Sequence, residues 1–186
     1  MFRETLRIAQ AGFVALAIAA TGIPALAAGG DSGGSSGGSS GGSDTPDCKK
    51  GMHYDQKKKE CVPNSALNDQ QLYQQGHDLA LAGRYDSALD ALEAVRNKND
   101  AMVLTMIGYS KRKLGALDEG IAIYHQALAI DPNNVNTREY LGEGYIDAGR
   151  IDLAEAELDK LAMLCGKTCE QYQDLQKAIV GSGKWN

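Results

Sequence analysis

The chain has little positive charge and few aromatic residues for its length. Its 186 residues include 19 Lys and Arg against 24 Asp and Glu, which gives a formal net charge of −5. Because proteins bind nucleic-acid phosphates through a basic face, we expect no nucleic-acid partner. Only 6% of the residues are aromatic, whereas 43% are hydrophobic. This composition leaves room for one modest domain with appendages.

Sequence motifs of known catalytic chemistry are also missing. The chain contains no GxSxG, no HExxH and no phosphate-cradling glycine loop. Its three histidines, His53, His77 and His125, fall in separate segments. The carboxylates fall at expected helix starts or on exposed faces, where solvation explains them. We therefore expect no enzyme, no cofactor and no metal site; a four-cysteine zinc site would have to join distant segments.

Residues 1–27 are typical of an export signal. Arg3 and Arg7 precede an apolar run, and residues 25–27 (Ala-Leu-Ala) have the small-x-small pattern that signal peptidase recognises. We expect cleavage near Ala27 and a periplasmic or secreted mature protein. A retained membrane anchor is the alternative, because the apolar run approaches the length that spans a bilayer.

Residues 28–47 are almost entirely Gly, Ser and Asp. A segment with so little apolar surface cannot offset the entropy lost on ordering, so we expect a disordered linker. It would serve either as a neutral spacer or as a tether that lets one end search for a partner.

The four cysteines form two close pairs, which predict two disulfides in an oxidising compartment. Cys48 and Cys61 would close a loop over residues 48–62 that is rich in lysine. Such a basic loop could dock on anionic cell-wall polymer or lipid, or it could be a solvated lead-in to the next domain. A disulfide between Cys165 and Cys169 would close a turn near the C-terminus. A redox-active dithiol is the alternative there, although the spacing is not CxxC.

One pattern occurs three times, starting at Gly76, Gly108 and Gly142, with offsets of 32 and 34 residues. This period is typical of stacked helical hairpins, which bury a continuous core only as a stack. We predict an all-α solenoid of three helix-turn-helix repeats, over residues 69–100, 101–134 and 135–166. A capping helix over residues 167–180 would follow, started by a capping box of Thr168 and Gln171, and then a tail over residues 181–186.

Over residues 68–180 the chain resembles the tetratricopeptide repeat proteins. The resemblance rests on four sets of positions and on Pro132 at one repeat junction. These sets are the first-helix glycines Gly76, Gly108 and Gly142; the turn glycines Gly83, Gly115 and Gly149; the small residues Ala88, Gly120 and Ala154; and the large apolar residues Leu92, Tyr124 and Leu158. Two positions depart from the family pattern: Lys111 and Arg138 stand where apolar or aromatic residues are usual.

The resemblance implies a concave groove lined by the first helix of each repeat. Carried onto this sequence, the lining residues are Tyr73, His77 and Leu81, then Met102, Thr105, Tyr109, Arg112 and Lys113, then Asn136, Glu139, Glu143, Ile146 and Asp147. The lining would run from aromatic through basic to acidic. A mixed-charge peptide or one helix of another envelope protein is the expected ligand. Tyr73 and Tyr109 would anchor it, and Arg112 would pair with a carboxylate.

This reading makes the protein a scaffold or adaptor. Two alternatives remain open at this point. The groove residues could be merely the solvated faces of a small solenoid, with contacts made elsewhere. The chain could also be an envelope-attachment protein that uses the basic loop between Cys48 and Cys61.

Overall fold

The computed structural model describes residues 46, 48–55 and 57–183. The predicted signal peptide and, apart from Pro46, the predicted linker lie outside this range. None of the helices described there is long and apolar enough to cross a bilayer.

In the described part of the chain, seven α-helices follow one small β-hairpin, so the predicted all-α solenoid of three helix pairs and a seventh helix is confirmed. The helices are α1 (Asp69–Leu81), α2 (Tyr85–Glu93), α3 (Ala101–Lys113), α4 (Leu117–Ile130), α5 (Val135–Asp147), α6 (Ile151–Leu164) and α7 (Glu170–Gly181). Each odd-numbered helix packs against the even-numbered helix that follows it, and α7 packs against both α5 and α6.

The hairpin precedes the helices and was not predicted as a sheet. Strands β1 (Met52–Asp55) and β2 (Glu60–Pro63) pair in antiparallel orientation. The side chain of Asp55 closes the turn between them, accepting hydrogen bonds from the backbone N–H of Lys57 (2.9 Å) and of Lys58 (3.0 Å). The predicted disulfide between Cys48 and Cys61 is present, with the two Cα atoms 5.7 Å apart. The lysine-rich loop is thus a covalently closed hairpin.

The turn glycines end the first helix of each repeat, as predicted. Gly83, Gly115 and Gly149 have positive φ angles of 77°, 90° and 72°. After α1 the backbone N–H of Gly83 donates to Ala80 O and that of Arg84 donates to Leu79 O. These two bonds form the left-handed cap that satisfies the last carbonyls of a helix, and a residue with a side chain would be strained at that φ.

The first-helix glycines are required by close helix packing. A Cβ atom on Gly108 would lie 2.9 Å from the ring of Tyr124 and 3.1 Å from the carbonyl oxygen of Gly120. Tyr124 is fully buried at the centre of the larger core cluster. The glycine therefore sets how closely α3 approaches α4, and the tyrosine fills the space beside it.

The second helix of the first repeat is short, because α2 has nine residues and ends at Glu93. The carboxylate of Asp69, in the first turn of α1, accepts hydrogen bonds from Arg96 Nε (2.7 Å) and from the backbone N–H of Asn97 (3.0 Å). These bonds hold the chain in a loop that returns towards α1, while Val95 stays buried after the helix end.

The predicted capping box of α7 is wrong. The helix begins at Glu170 with Cys169 at the N-cap position, and no side chain caps it. Gln171 Nε2 instead donates to Asn136 Oδ1 on α5 at 2.8 Å. The predicted disulfide between Cys165 and Cys169 closes the turn before the helix, with the Cα atoms 5.9 Å apart. This covalent link and the contact with α5 fix the start of α7.

The two residues that depart from the family pattern form ion pairs. Arg138 Nη1 on α5 donates to Glu157 Oε2 on α6 at 2.7 Å, and Arg138 Nε donates to Pro132 O at 3.1 Å. Glu157 is buried. A salt bridge therefore occupies the place of an aromatic side chain in this repeat. Lys111 Nζ lies 3.2 Å from Glu119 Oε1 across the turn between α3 and α4.

Candidate functional site

Helices α1, α3, α5 and α7 lie side by side, because each contacts the next in this series. Their shared surface carries the residues predicted to line the groove. We call it the first-helix face and define it by the solvent-directed residues of these four helices. The structure places the predicted residues on this face in three different environments: aromatic, buried and acidic.

Half-buried tyrosines form the aromatic part of the first-helix face. The ring centroid of Tyr109 lies 5.1 Å from that of Tyr140 and 6.1 Å from that of Tyr85. Tyr73 lies 5.9 Å from His77 on α1. Burial and the nearby Glu139 carboxylate raise the pKa of Tyr140 to about 12, so its hydroxyl is neutral at physiological pH. Burial likewise raises the pKa of Tyr73 and of Tyr109, so these tyrosines form an uncharged aromatic surface.

Sequence reasoning missed Tyr85 and Tyr140. Neither falls at a position where the repeat pattern directs a side chain into the groove. Tyr85 begins α2, and Tyr140 lies on the flank of α5 that faces Tyr109. Only their aromatic character, in a chain poor in aromatics, could have pointed to them.

The prediction that Arg112 is available to a partner carboxylate is wrong. The residue is buried, with 6% of its surface exposed. Its Nη1 donates to Asp147 Oδ2 at 2.7 Å and its Nη2 donates to Glu143 Oε2 at 2.5 Å. The guanidinium carbon lies 5.6 Å from the Tyr109 ring centroid. Since both acids come from the next repeat, Arg112 joins α3 to α5 and its charge is already neutralised.

Thr105 and Asn136 also face other parts of the protein. The Thr105 hydroxyl lies within 2.7 Å of Ala101 O and 2.6 Å of the Thr137 hydroxyl, and the residue is buried. The side-chain oxygen of Asn136 accepts a hydrogen bond from Gln171 of α7. Neither was predicted in such a role, and Thr105 cannot touch a partner because α5 covers it.

Three more of the predicted groove residues are accessible. Leu81 and Met102 are exposed large apolar side chains. Lys113 is exposed, and its Nζ lies 5.4 Å from the Tyr109 ring centroid. A partner that reaches Tyr109 therefore also meets Lys113.

Carboxylates dominate the part of the face formed by α5 and α7. Burial, followed by repulsion from Glu143, Asp174 and Glu170, raises the pKa of Glu139 to about 7. Among the described residues, no lysine, arginine or histidine lies within salt-bridge distance of Glu139. By contrast, Asp174 has Lys177 at 3.5 Å. Glu139 is therefore a half-buried carboxylate crowded by others and lacking a cation.

The predicted order of charges along the groove changes accordingly. We expected an aromatic, then basic, then acidic lining. The basic section is largely cancelled because Arg112 is buried between Glu143 and Asp147. Glu170 and Asp174 extend the acidic section onto α7, which the sequence indicated only as a capping helix. The face therefore passes from aromatic to acidic.

The described part of the chain contains no free cysteine and no group of side chains suited to hold a metal ion. All four cysteines lie in disulfides. Within residues 46, 48–55 and 57–183, no three His, Cys, Asp or Glu side chains are grouped as a metal site requires. What the first-helix face offers is a surface for binding.

Comparisons with known proteins agree with this architecture. The family model of the tetratricopeptide repeat matches residues 112–179. A solved structure of a MamA mutant is 30% identical over 62% of this chain and 69% of that one, with a TM-score of 0.50. A comparison with proteins of curated function finds no matching sequence.

Two further solved structures have a similar fold at lower identity. SycD of Yersinia enterocolitica, a translocator chaperone, is 18% identical over 61% of this chain and 82% of its own, with a TM-score of 0.54. PcrH, solved in complex with the chaperone binding region of PopB, is 21% identical over 61% of this chain and 93% of its own, with a TM-score of 0.51. The repeat model and the MamA relative carry the assignment: this chain belongs to the tetratricopeptide repeat family.

Proposed function

We propose that this protein is an exported, periplasmic scaffold or adaptor whose first-helix face binds a segment of another cell-envelope protein. SycD, solved with a peptide of the translocator YopD, and PcrH, solved with a region of PopB, show that proteins of this fold bind partner segments. Export is supported by the signal-like residues 1–27 and by the two disulfides. A stack of three repeats is short, so one helix or a short peptide is the fitting ligand.

The observation that carries the proposal is the crowded Glu139 carboxylate beside half-buried tyrosines. A carboxylate with a pKa raised to about 7 by burial and by neighbouring acids gains most from a cation placed next to it. Tyr109 and Tyr140 offer rings that an apolar or cationic side chain can cover. We therefore narrow the ligand from a mixed-charge peptide to a segment with Lys or Arg beside apolar residues.

Charge reversal at the acidic part of the face tests this proposal. We expect Glu139→Lys combined with Asp174→Lys to abolish partner capture from a periplasmic extract, because both substitutions repel a cationic segment. The matched control reverses Asp152 and Glu155, which are exposed on α6 away from the first-helix face. Capture that survives the first pair of substitutions, or fails equally with the control pair, excludes this face as the binding site.

A second candidate function is envelope attachment through the hairpin. The observation that favours it is the exposure of its lysines, Lys49, Lys50, Lys57, Lys58 and Lys59. The disulfide closes the hairpin, and the ion pair of Lys50 with Asp90 joins it to α2 at 3.6 Å. Such a cationic tip could bind anionic polymer or lipid.

Attachment and adaptor function can be separated with one variant. If the hairpin attaches the protein, replacing Lys49, Lys57, Lys58 and Lys59 with glutamine should release it from phosphatidylglycerol vesicles or cell-wall sacculi. Partner capture should stay intact in this variant. Unchanged sedimentation with both vesicles and sacculi would exclude the attachment function.

A further inference from the structure

A cleft of about 410 Å³ lies between the hairpin and the side of α1 that carries Gln71 and Gln75. The helix lines it with Gln71, Gln75, Asp78 and Ala82, which recur about once per turn. The eleven residue-to-residue steps from Gln71 to Ala82 correspond to about 16 Å of helix, so the cleft is elongated. Its volume falls in the range of about 300–1,000 Å³ that is usual for ligand sites.

Two buried polar atoms in the cleft lack a partner. His53 on β1 has 8% of its surface exposed, and its Nδ1 has no hydrogen-bond partner. The Oε1 atom of Gln75 on α1 is buried and equally unpaired. Both residues line the cleft from opposite sides. Buried polar atoms are nearly always hydrogen-bonded to protein, water or ligand, so two residues with unpaired atoms on one cleft favour a ligand that brings its own donors and acceptors.

The cleft also exposes one edge of the hairpin. The backbone N–H of Asn64 donates to Gly51 O at 2.9 Å. Hydrogen-bonded pairs alternate along antiparallel strands, so the backbone groups of Met52 and Tyr54 point away from β2. The N–H of Met52 donates to Lys49 O at 3.0 Å, so the Met52 carbonyl and the N–H and carbonyl of Tyr54 are the groups without a partner among the described residues at this edge. Met52, His53 and Tyr54 all line the cleft, although successive side chains point to opposite faces of a strand. The strand edge itself therefore faces the cleft, and no other described strand pairs with it.

We propose that this cleft binds an extended peptide segment, which adds as a third strand to the edge of β1. Only a peptide backbone repeats donors and acceptors at the spacing that a strand edge requires. A backbone N–H of the segment would satisfy Gln75 Oε1, and His53 Nδ1 can donate or accept according to its tautomer. The proposal does not depend on the function of the first-helix face.

The lining defines the kind of segment. Leu67 and Leu79 form an apolar wall, which suits every second side chain of an extended chain. Lys49 is exposed at the start of the hairpin and makes no ion pair in the described structure, whereas Lys50 already pairs with Asp90; Lys49 favours acidic flanks. The expected occupant is thus a partner segment of about five residues with alternating apolar and polar side chains and an acidic residue at its ends.

Nuclear magnetic resonance titration of residues 28–186 with acetyl-Asp-Val-Ser-Val-Ser-Val-Asp-amide tests the proposal. We expect shifts at the Tyr54 amide, the His53 ring and the Gln75 side-chain amide. The same peptide N-methylated at its three valines keeps the side chains but loses strand donors, so it should bind at least about tenfold more weakly. The proposal would be overturned by equal binding of both peptides or by shifts that occur only on the first-helix face. It would also be overturned if tri-N-acetylchitotriose caused the shifts and the peptide did not.

Two variants separate a ligand role from a structural role. Gln75→Met and His53→Leu stay close to the original side-chain volume and remove the unpaired atoms. We expect each to leave the melting temperature of the free protein unchanged or raised, because an unsatisfied polar atom is lost, and to weaken the peptide at least about fivefold. Gln126→Met, on the exposed side of α4, is the control and should change neither quantity. A lower melting temperature with unchanged peptide affinity would overturn the proposal.

Discussion

Arg112 contributes to the first-helix face by organising its acidic residues, and it does so while buried. Its two hydrogen bonds to Glu143 and Asp147 cross from one repeat to the next. Removing one partner of a buried ion pair leaves the remaining charge buried without a counter-charge. This lowers stability more than replacing the whole pair with apolar residues does. Arg112 therefore stabilises the stack of repeats as well as organising its surface.

We predict that Arg112→Met destabilises the protein by about 2 kcal/mol, below the usual range for a fully buried pair because both acids are partly exposed. Urea unfolding at neutral pH measures the free energy. Lys113→Met is the matched control, since Lys113 is exposed and makes no ion pair in the described structure; we expect a change below about 0.5 kcal/mol. Equal effects of the two substitutions would refute the role given to Arg112.

Glu139 gives the protein a specific pH dependence. Its pKa in the folded state is about 7, above the 4.5 of a free glutamate, so the folded state favours the protonated form. Its unfavourable contribution is small near pH 4.5 and grows as the pH rises through about 7.

We predict that Glu139→Gln raises the free energy of unfolding by about 1 kcal/mol at about pH 8, allowing for solvent screening, and by much less near pH 4.5. Paired urea titrations at the two pH values measure this difference. Glu155→Gln, on the exposed side of α6, should show no such pH dependence. A stabilisation by Glu139→Gln that is larger at the lower pH would contradict the assigned pKa.

At the scale of the elements, helix packing depends on glycine at the crossing of α3 and α4. We predict that Gly108→Ala costs about 2 kcal/mol, because the new methyl group would overlap the buried ring of Tyr124. Gly181→Ala in α7 is the control: no heavy atom lies within 4 Å of its added Cβ, so a gain of up to about 0.5 kcal/mol is expected from helix propensity. Thermal unfolding compares the two, and a tolerated Gly108→Ala would show that the crossing is looser than the structure indicates.

The seventh helix is held by a disulfide and by packing on α5 and α6. We predict that replacing Cys165 and Cys169 with serine lowers stability by about 2 kcal/mol, the entropic value for so short a loop. Hydrogen exchange should rise first in α7. The matched double serine variant at Cys48 and Cys61 should raise exchange in the hairpin instead. Protection of α7 that is unchanged by loss of its disulfide would mean that packing alone holds it.

At the scale of the whole molecule, features that repeat along the sequence could be predicted, whereas contacts between particular side chains could not. The helix pairs, the turn glycines and both disulfides follow from spacing along the chain. The fate of Arg112, the position of Tyr140 and the extension of the acidic surface onto α7 depend on side chains one repeat apart, which the sequence does not bring together. The hairpin was missed because strands of four residues give a short signal next to a turn rich in lysine.

The whole molecule presents two surfaces with different chemistry. The first-helix face is aromatic and acidic, and the cleft beside the hairpin lies between one edge of β1 and α1, next to the buried unpaired atoms of His53 and Gln75. Both surfaces are suited to segments of other proteins, but they favour opposite charges. A partner could therefore be held at two points, and the binding of one segment need not compete with that of the other.

Photocrosslinking in the periplasm tests the central claim most directly. A photoreactive phenylalanine derivative would replace Lys113 at the edge of the first-helix face or, as the control, Leu153, which is exposed on α6. The account predicts crosslinks from position 113 to a segment rich in Lys or Arg, none from position 153, and loss of the crosslinks when Glu139 and Asp174 are reversed to lysine. Crosslinks from position 153 alone, or crosslinks from position 113 that survive the charge reversal, would contradict it.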